Sequence, residues 1–291
     1  NRKPSIVPRT SATADGIATN AQRVPEDIDW EAARLAPPGA PSCERADATD
    51  CIVTTGDRGS ILLIGDSHAR MMMPTFEYIA EQRDLELSVA YSTSCPWMET
   101  AIPSGDTVGK QRCIDVRDQL YSTQLENLSP DVVIVVGYPW STYPEGLTST
   151  DPDLSDSPMP SILEQMVDDS FDELAAEGRQ LVAIEPIPIF ESDPLTCLSG
   201  AATADQCTFP PLLSSLEEDL YRLAAEREEI AASIDLDDLA CPRMPICDPL
   251  QQGYPVWRDT NHFTTRFAEF LAPWIDDQLV EQGIFASNDT D

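Results

Sequence analysis

Short, uninterrupted apolar runs alternate along the chain with longer segments whose apolar positions recur every three to four residues. The first such run, 61–64, is stopped by Gly65, and helical periodicity follows over about 69–82. Residues 85–91 alternate as a strand, and about 114–128 read as a helix. Pro130 and Asp131 introduce the fully apolar run Val132–Val136, stopped by Gly137. Beyond it come a helix over about 161–177 ending at Gly178, a strand at Gln180–Ile184, a helix over about 212–232, and a last helix over 264–281 closed by Gly283. Strands without a polar face, separated by amphipathic helices, predict a parallel sheet covered on both sides. Sites in such sheets lie beyond the carboxyl ends of the strands, which directs attention to the residues just after Ile64, Tyr91, Val136 and Ile184.

Residues 1–42 are rich in Pro, Ala, Thr and Ser, with one helical candidate over about 25–35 that Asp27 or Asp29 could cap. They read as a linker or arm leading into a single α/β domain over 43–286, followed by a short tail, 287–291. The longest apolar run is five residues, far short of the roughly 18 that span a bilayer. The chain opens at Asn1 in a polar stretch without a secretory leader, which fits a segment of something longer.

Composition narrows the function classes. With 18 basic and 51 acidic side chains among 291 residues, the net charge is −33, so nucleic-acid phosphates would be repelled and no nucleic-acid partner is expected. Two lysines, Lys3 and Lys110, stand against sixteen arginines, a bias that suits a GC-rich genome or a salt-tolerant surface. The eight cysteines fall into four sequence-local couples, Cys43 with Cys51, Cys95 with Cys113, Cys197 with Cys207 and Cys241 with Cys247. Each couple brackets a short loop, so four disulfides in an oxidising compartment are expected. No CxxC occurs and there are only two histidines, so no metal site is expected, and no cofactor.

Directly after the first apolar run stands Gly65-Asp66-Ser67-His68-Ala69-Arg70. Glycine permits a sharp turn, and Ser67 then opens a helix whose free N–H groups favour a developing anion. A serine so placed can be a nucleophile whose own amide helps hold the oxyanion, or it can be one end of an ordinary helix cap. The histidine census favours the first reading, because only His68 and His262 could serve as base. His262 lies three residues after Asp259 in Arg258-Asp259-Thr260-Asn261-His262-Phe263-Thr264, a spacing that lets a carboxylate hold the far ring nitrogen. Ser67 cannot easily be served by its immediate neighbour, so His68 is expected to contact the pocket rather than act as base.

These blocks resemble the SGNH (GDSL-type) hydrolase superfamily, whose first block holds the serine and whose last holds a D-x-x-H pair. More narrowly, 61–69, Ser94-Cys95-Pro96, 130–133, Trp140-Ser141 and 258–264 resemble the extracytoplasmic SGNH domain fused to acyltransferase family 3 membrane proteins, over about residue 40 to the end. The resemblance implies a three-layer α/β/α, flavodoxin-like fold with a central parallel sheet. It also implies catalytic Ser67, Asp259 and His262, and an oxyanion hole built from the Ser67 N–H, a second-block glycine and a third-block asparagine. Here Pro139 stands where that asparagine belongs, and proline donates no hydrogen bond. Ser94 replaces the second-block glycine as candidate donor, and Asn261 is an alternative. Trp140, with Tyr138 and Tyr143, offers a sugar-stacking surface or core packing.

The function so implied is extracytoplasmic O-acyl transfer, such as O-acetylation, to a cell-envelope glycan or glycolipid through an acyl-serine. A membrane acyltransferase domain, expected on the same polypeptide and outside this sequence, would deliver the acyl group and tether the domain. The alternatives are a secreted carbohydrate O-acetyl esterase using the same triad and a catalytically inactive cell-surface module.

Overall fold

The computed structural model describes residues 22–286 apart from 40–42, 44–47, 105–106, 143–145, 155–157 and 213–214. Residues 1–21 of the expected arm, the 287–291 tail and Tyr143 therefore lie outside the described residues.

Six strands form the central sheet in the order Ile52–Thr54, Glu86–Tyr91, Ser60–Gly65, Val132–Val136, Gln180–Ile184, Ala232–Ile234. The first runs antiparallel to its neighbour, and the other five are parallel. Taken alone, the parallel strands follow the order 2-1-3-4-5 of the flavodoxin-like arrangement. Each strand splits its side chains between two cores. Leu62, Ile64, Val133, Val135, Leu181 and Ala183 pack on one face with residues of the Met159–Ala175 and Leu216–Glu226 helices. Ile61, Leu63, Ile134, Val136, Val182 and Ile184 pack on the other with the Ser67–Arg83 and Thr265–Glu281 helices. All of these strand residues are at most 2% exposed, which is why they read as solid apolar runs.

The expected 212–232 helix is a shorter helix followed by a strand. Ser215 and Glu218 form a reciprocal capping box that starts the helix at Leu216, and it ends at Glu226. Glu228 then takes a left-handed φ of 61° and releases the chain into the edge strand Ala232–Ile234. That strand and Ile52–Thr54 are three residues long, too short to show a period in the sequence. The expected 114–128 helix begins earlier, at Thr107, and carries a π-helical turn over Leu120–Gln124.

Disulfides join Cys43 to Cys51, Cys95 to Cys113, Cys197 to Cys207 and Cys241 to Cys247. The described part of the arm lies on the domain. Its helix Trp30–Arg34 is capped by Asp29, Arg34 pairs with Asp193 at 2.8 Å, and Val24 packs with Leu198, Ala204 and Leu250. No described helix is long and apolar enough to cross a membrane.

Candidate active site

The central strand Ser60–Gly65 ends against Val136 of the next strand. Gly65 has φ of 153°, and a Cβ there would sit 1.8 Å from the Val136 carbonyl oxygen, so no larger residue fits this turn. Asp66 follows as the helix N-cap. Its Oδ1 accepts from the His68 amide at 2.8 Å, and its Oδ2 accepts from the Tyr138 amide at 2.8 Å and the Trp140 indole N–H at 2.9 Å. Burial pushes the Asp66 carboxyl up to about 6, against the opposing pull of these three donors.

Ser67 is thereby fixed as the first residue of its helix. Its Oγ lies 2.8 Å from His262 Nε2. On the other side of the ring, His262 Nδ1 lies 2.9 Å from Asp259 Oδ2 and 3.0 Å from Oδ1. The loop that carries the pair is largely self-contained. Asp259 Oδ1 also accepts from the Asn261 and His262 amides, each at 2.9 Å. The Arg258 amide donates to the His262 carbonyl at 2.9 Å, and Trp257 bridges to Phe263. Phe263 anchors the loop from below, buried between Trp257 and Phe267. Burial of Asp259 works against its charge, but the hydrogen bond and charge of His262, the Asn261 amide and Arg258 outweigh it and hold its pKa below the ordinary carboxylate value. Serine, imidazole and carboxylate thus stand in line, an arrangement that can pass a proton from hydroxyl to ring and stabilise the imidazolium formed.

The remaining candidates sit differently. His68 is buried, its ring centroid 4.9 Å from that of His262 and 5.6 Å from that of Tyr138. Burial, reinforced by His262, pushes its pKa well below the usual imidazole value and keeps it neutral. It makes no hydrogen bond to Ser67. Trp140 is 3% exposed and spends its indole N–H on Asp66. It therefore braces the turn and offers no open face for a sugar. Ser94 is exposed in the turn after Glu86–Tyr91, with φ of 63°, and makes no hydrogen bond to Ser67, His262 or Asp259. Asn261 is half-buried in the histidine loop, its side-chain oxygen sealed from solvent without a hydrogen-bond partner.

Two residues that matter here carried no recognisable signal. Glu217 looks in the sequence like one of a run of first-turn acids, yet it is fully buried. It accepts from the Ser141 amide at 2.7 Å and from Ser141 Oγ at 2.5 Å, giving the 137–142 loop a second carboxylate anchor besides Asp66. Met71 receives the Phe263 amide on its sulfur at 2.8 Å, tying the serine helix to the histidine loop. Among the described residues no group of three or more His, Cys, Asp or Glu is placed to hold a metal ion.

The sequence matches no curated protein. Among solved structures it is similar to the periplasmic domain of a lipopolysaccharide acetyltransferase from Salmonella ser. Paratyphi A, with a TM-score of 0.58 and 14% identity over 80% of this chain and 87% of that one. It is also similar to an acetyl xylan esterase, AlAXEase, with a TM-score of 0.45 and 15% identity over 76% and 99% of the two chains. A third likeness is to a putative acylhydrolase from Bacteroides fragilis, with a TM-score of 0.45 and 13% identity over 85% and 100%. At 14% identity the likeness to the acetyltransferase domain shows a shared fold. The family model for the SGNH domain (fused to AT3 domains) matches residues 37–277, which include the whole of the Gly65–His68 turn and the Asp259–His262 loop. The chain belongs to the family of SGNH domains fused to AT3 domains.

Proposed function

We propose that this chain is an extracytoplasmic serine O-acyltransferase that moves an acyl group, such as acetyl, to a hydroxyl of a cell-envelope glycan or glycolipid. The observation that carries the reading is the unbroken line from Ser67 Oγ to His262 Nε2 at 2.8 Å and from His262 Nδ1 to Asp259 at 2.9 Å. Ser67 Oγ attacks the acyl carbonyl carbon while its proton passes to His262 Nε2. The tetrahedral intermediate collapses, the departing oxygen takes that proton, and the acyl group remains on Ser67. An acceptor hydroxyl then gives its proton to His262, attacks the acyl carbon and expels Ser67 Oγ, which is reprotonated from the ring. Asp259 keeps the ring in the tautomer that leaves Nε2 free to accept. The Ser67 amide, in the first turn where no intrahelical carbonyl can meet it, is the oxyanion donor we assign.

Family membership supports a donor presented by a membrane-embedded AT3 domain that precedes this domain on the same polypeptide. Four disulfides support an oxidising compartment outside the cytoplasm. Without an acceptor, water takes the acyl group, so hydrolysis of p-nitrophenyl acetate is the accessible assay. The protein is expected to hydrolyse it, to divert acetyl to a glycan acceptor when one is added, and to lose both reactions in Ser67→Ala. A folded Ser67→Ala protein with undiminished hydrolysis would refute the reading.

A further inference from the structure

Among the described residues, Arg83 meets Asp276 and Arg243 meets Asp248, while the buried Arg117 donates to the Met98 carbonyl. Arg258 has no side-chain hydrogen-bonded partner of either kind. It directly precedes Asp259 and is 6% exposed, yet its side chain makes no hydrogen bond to any described residue. Nε is sealed from solvent and lies 3.5 Å from Asp259 Oδ2, a charge contact without hydrogen-bond geometry. The two terminal nitrogens are equally unbonded but, unlike Nε, are not sealed.

The carboxylate that Arg258 contacts is already engaged. Both oxygens of Asp259 face His262 Nδ1, and Oδ1 also holds two backbone amides. A second cation adds to the imbalance. Arg70, one helical turn after Ser67, gives two N–H groups to the Pro37 carbonyl at 3.1 and 2.7 Å and pairs with no acid among the described residues. It is close enough to Arg258 for the two charges to oppose each other. Arg258 thus has one charge contact, to a carboxylate already engaged by His262, and a second cation, Arg70, opposes it, in a chain of net charge −33. A guanidinium largely withdrawn from water, whose remaining open N–H groups meet no protein acceptor, is favourably completed by an anion.

We propose that Arg258, backed by Arg70, is an anion-binding point that selects an acceptor whose sugar carries an oxyanion group, a carboxylate or a phosphate. The planar fork of a guanidinium can meet either group through two parallel N–H···O bonds. An acceptor held there presents a neighbouring hydroxyl beside His262. The word acceptor rests on the acyl-transfer reading of the same site, whereas anion binding does not.

Calorimetric titration of Ser67→Ala protein with glucuronate, glucose 1-phosphate and glucose measures binding without turnover. At least one anionic sugar is expected to bind about tenfold or more tightly than glucose, the margin of a charge-assisted pair. Which of the two binds more tightly distinguishes carboxylate from phosphate. Adding Arg258→Gln should erase the preference, Arg258→Lys should keep part of it, and Arg70→Gln should reduce it. Equal binding of all three sugars, or a preference undiminished in Arg258→Gln or Arg70→Gln, would overturn the proposal. Should Arg258→Gln fail to fold by circular dichroism, Arg70→Gln decides alone. Hydrolysis of p-nitrophenyl acetate by the unmodified protein is followed in parallel. Its absence would refute acyl transfer and leave an anion preference standing, whereas hydrolysis without any anion preference would do the reverse.

Discussion

Two loops meet at the site, and they are built on opposite principles. The histidine loop makes most of its own bonds: Asp259 holds the amides of Asn261 and His262 as well as the ring, and Arg258 closes the turn on the His262 carbonyl. The serine turn depends on distant chain. Asp66 is held by Tyr138 and Trp140, about seventy positions away, and the 137–142 loop they belong to is held in turn by Glu217. One loop carries its geometry with it, and the other borrows geometry from the neighbouring strand. Substitutions in the first should therefore harm chemistry alone, and substitutions in the second should harm chemistry and stability together.

The largest effect belongs to the point where the loops touch. Ser67→Ala and His262→Ala should each bring p-nitrophenyl acetate turnover to near background. The double variant should be no worse than either, because the members of such a unit act together. Steady-state rates of the three proteins check this. Next comes Asp259→Asn, which keeps the ring in place but favours the wrong tautomer. A loss of about 10⁴-fold in kcat is expected from a comparable triad, with little change in the melting temperature. A melting temperature lowered as far as in an Asp66 variant would erase the contrast between the loops.

Asp66→Asn should show the other signature. An asparagine that still caps through its oxygen turns an NH2 group toward the Tyr138 amide and the Trp140 indole. That orphans buried donors at about 1–3 kcal/mol each, and denaturant unfolding measures the loss. Its pH dependence sharpens the test. Burial raises the Asp66 pKa from 3.8 to about 6 in the folded protein, so the native state binds this proton more tightly than the unfolded chain. Its contribution to stability is fully present below 3.8 and is lost as pH rises to about 6. Over that window the unmodified protein should lose stability relative to Asp66→Asn as pH rises, and a constant difference would contradict the assignment. The smallest effect is expected from His68→Ala. This variant should keep measurable hydrolysis, because His68 makes no hydrogen bond to Ser67. An inactive, folded His68→Ala beside an active His262→Ala would exchange the roles of the two histidines.

The same contrast explains what could be read without a structure. Val132–Val136 and Gln180–Ile184 announce themselves because both faces of each strand are buried, so no polar residue interrupts the run. Asp259 and His262 are equally visible, since a contact made within one turn leaves a fixed spacing in the sequence. Glu217 was invisible: its burial depends on Ser141, 76 positions away, and its neighbours suggest a solvated helix start. Trp140 was ambiguous for a related reason, because an aromatic after a strand looks the same whether its N–H meets a sugar or Asp66. The edge strands Ile52–Thr54 and Ala232–Ile234 are defined by pairing with neighbours rather than by any pattern of their own.

The proposed reaction requires Ser67 to become acylated with His262 as its base. Acid quenching of the protein during p-nitrophenyl acetate turnover, followed by proteolysis and mass spectrometry, locates the acyl group directly. The expected result is a single acetyl group on the peptide that contains Ser67, absent from Ser67→Ala and from His262→Ala. Acetyl found on another residue, with turnover persisting in Ser67→Ala, would contradict it.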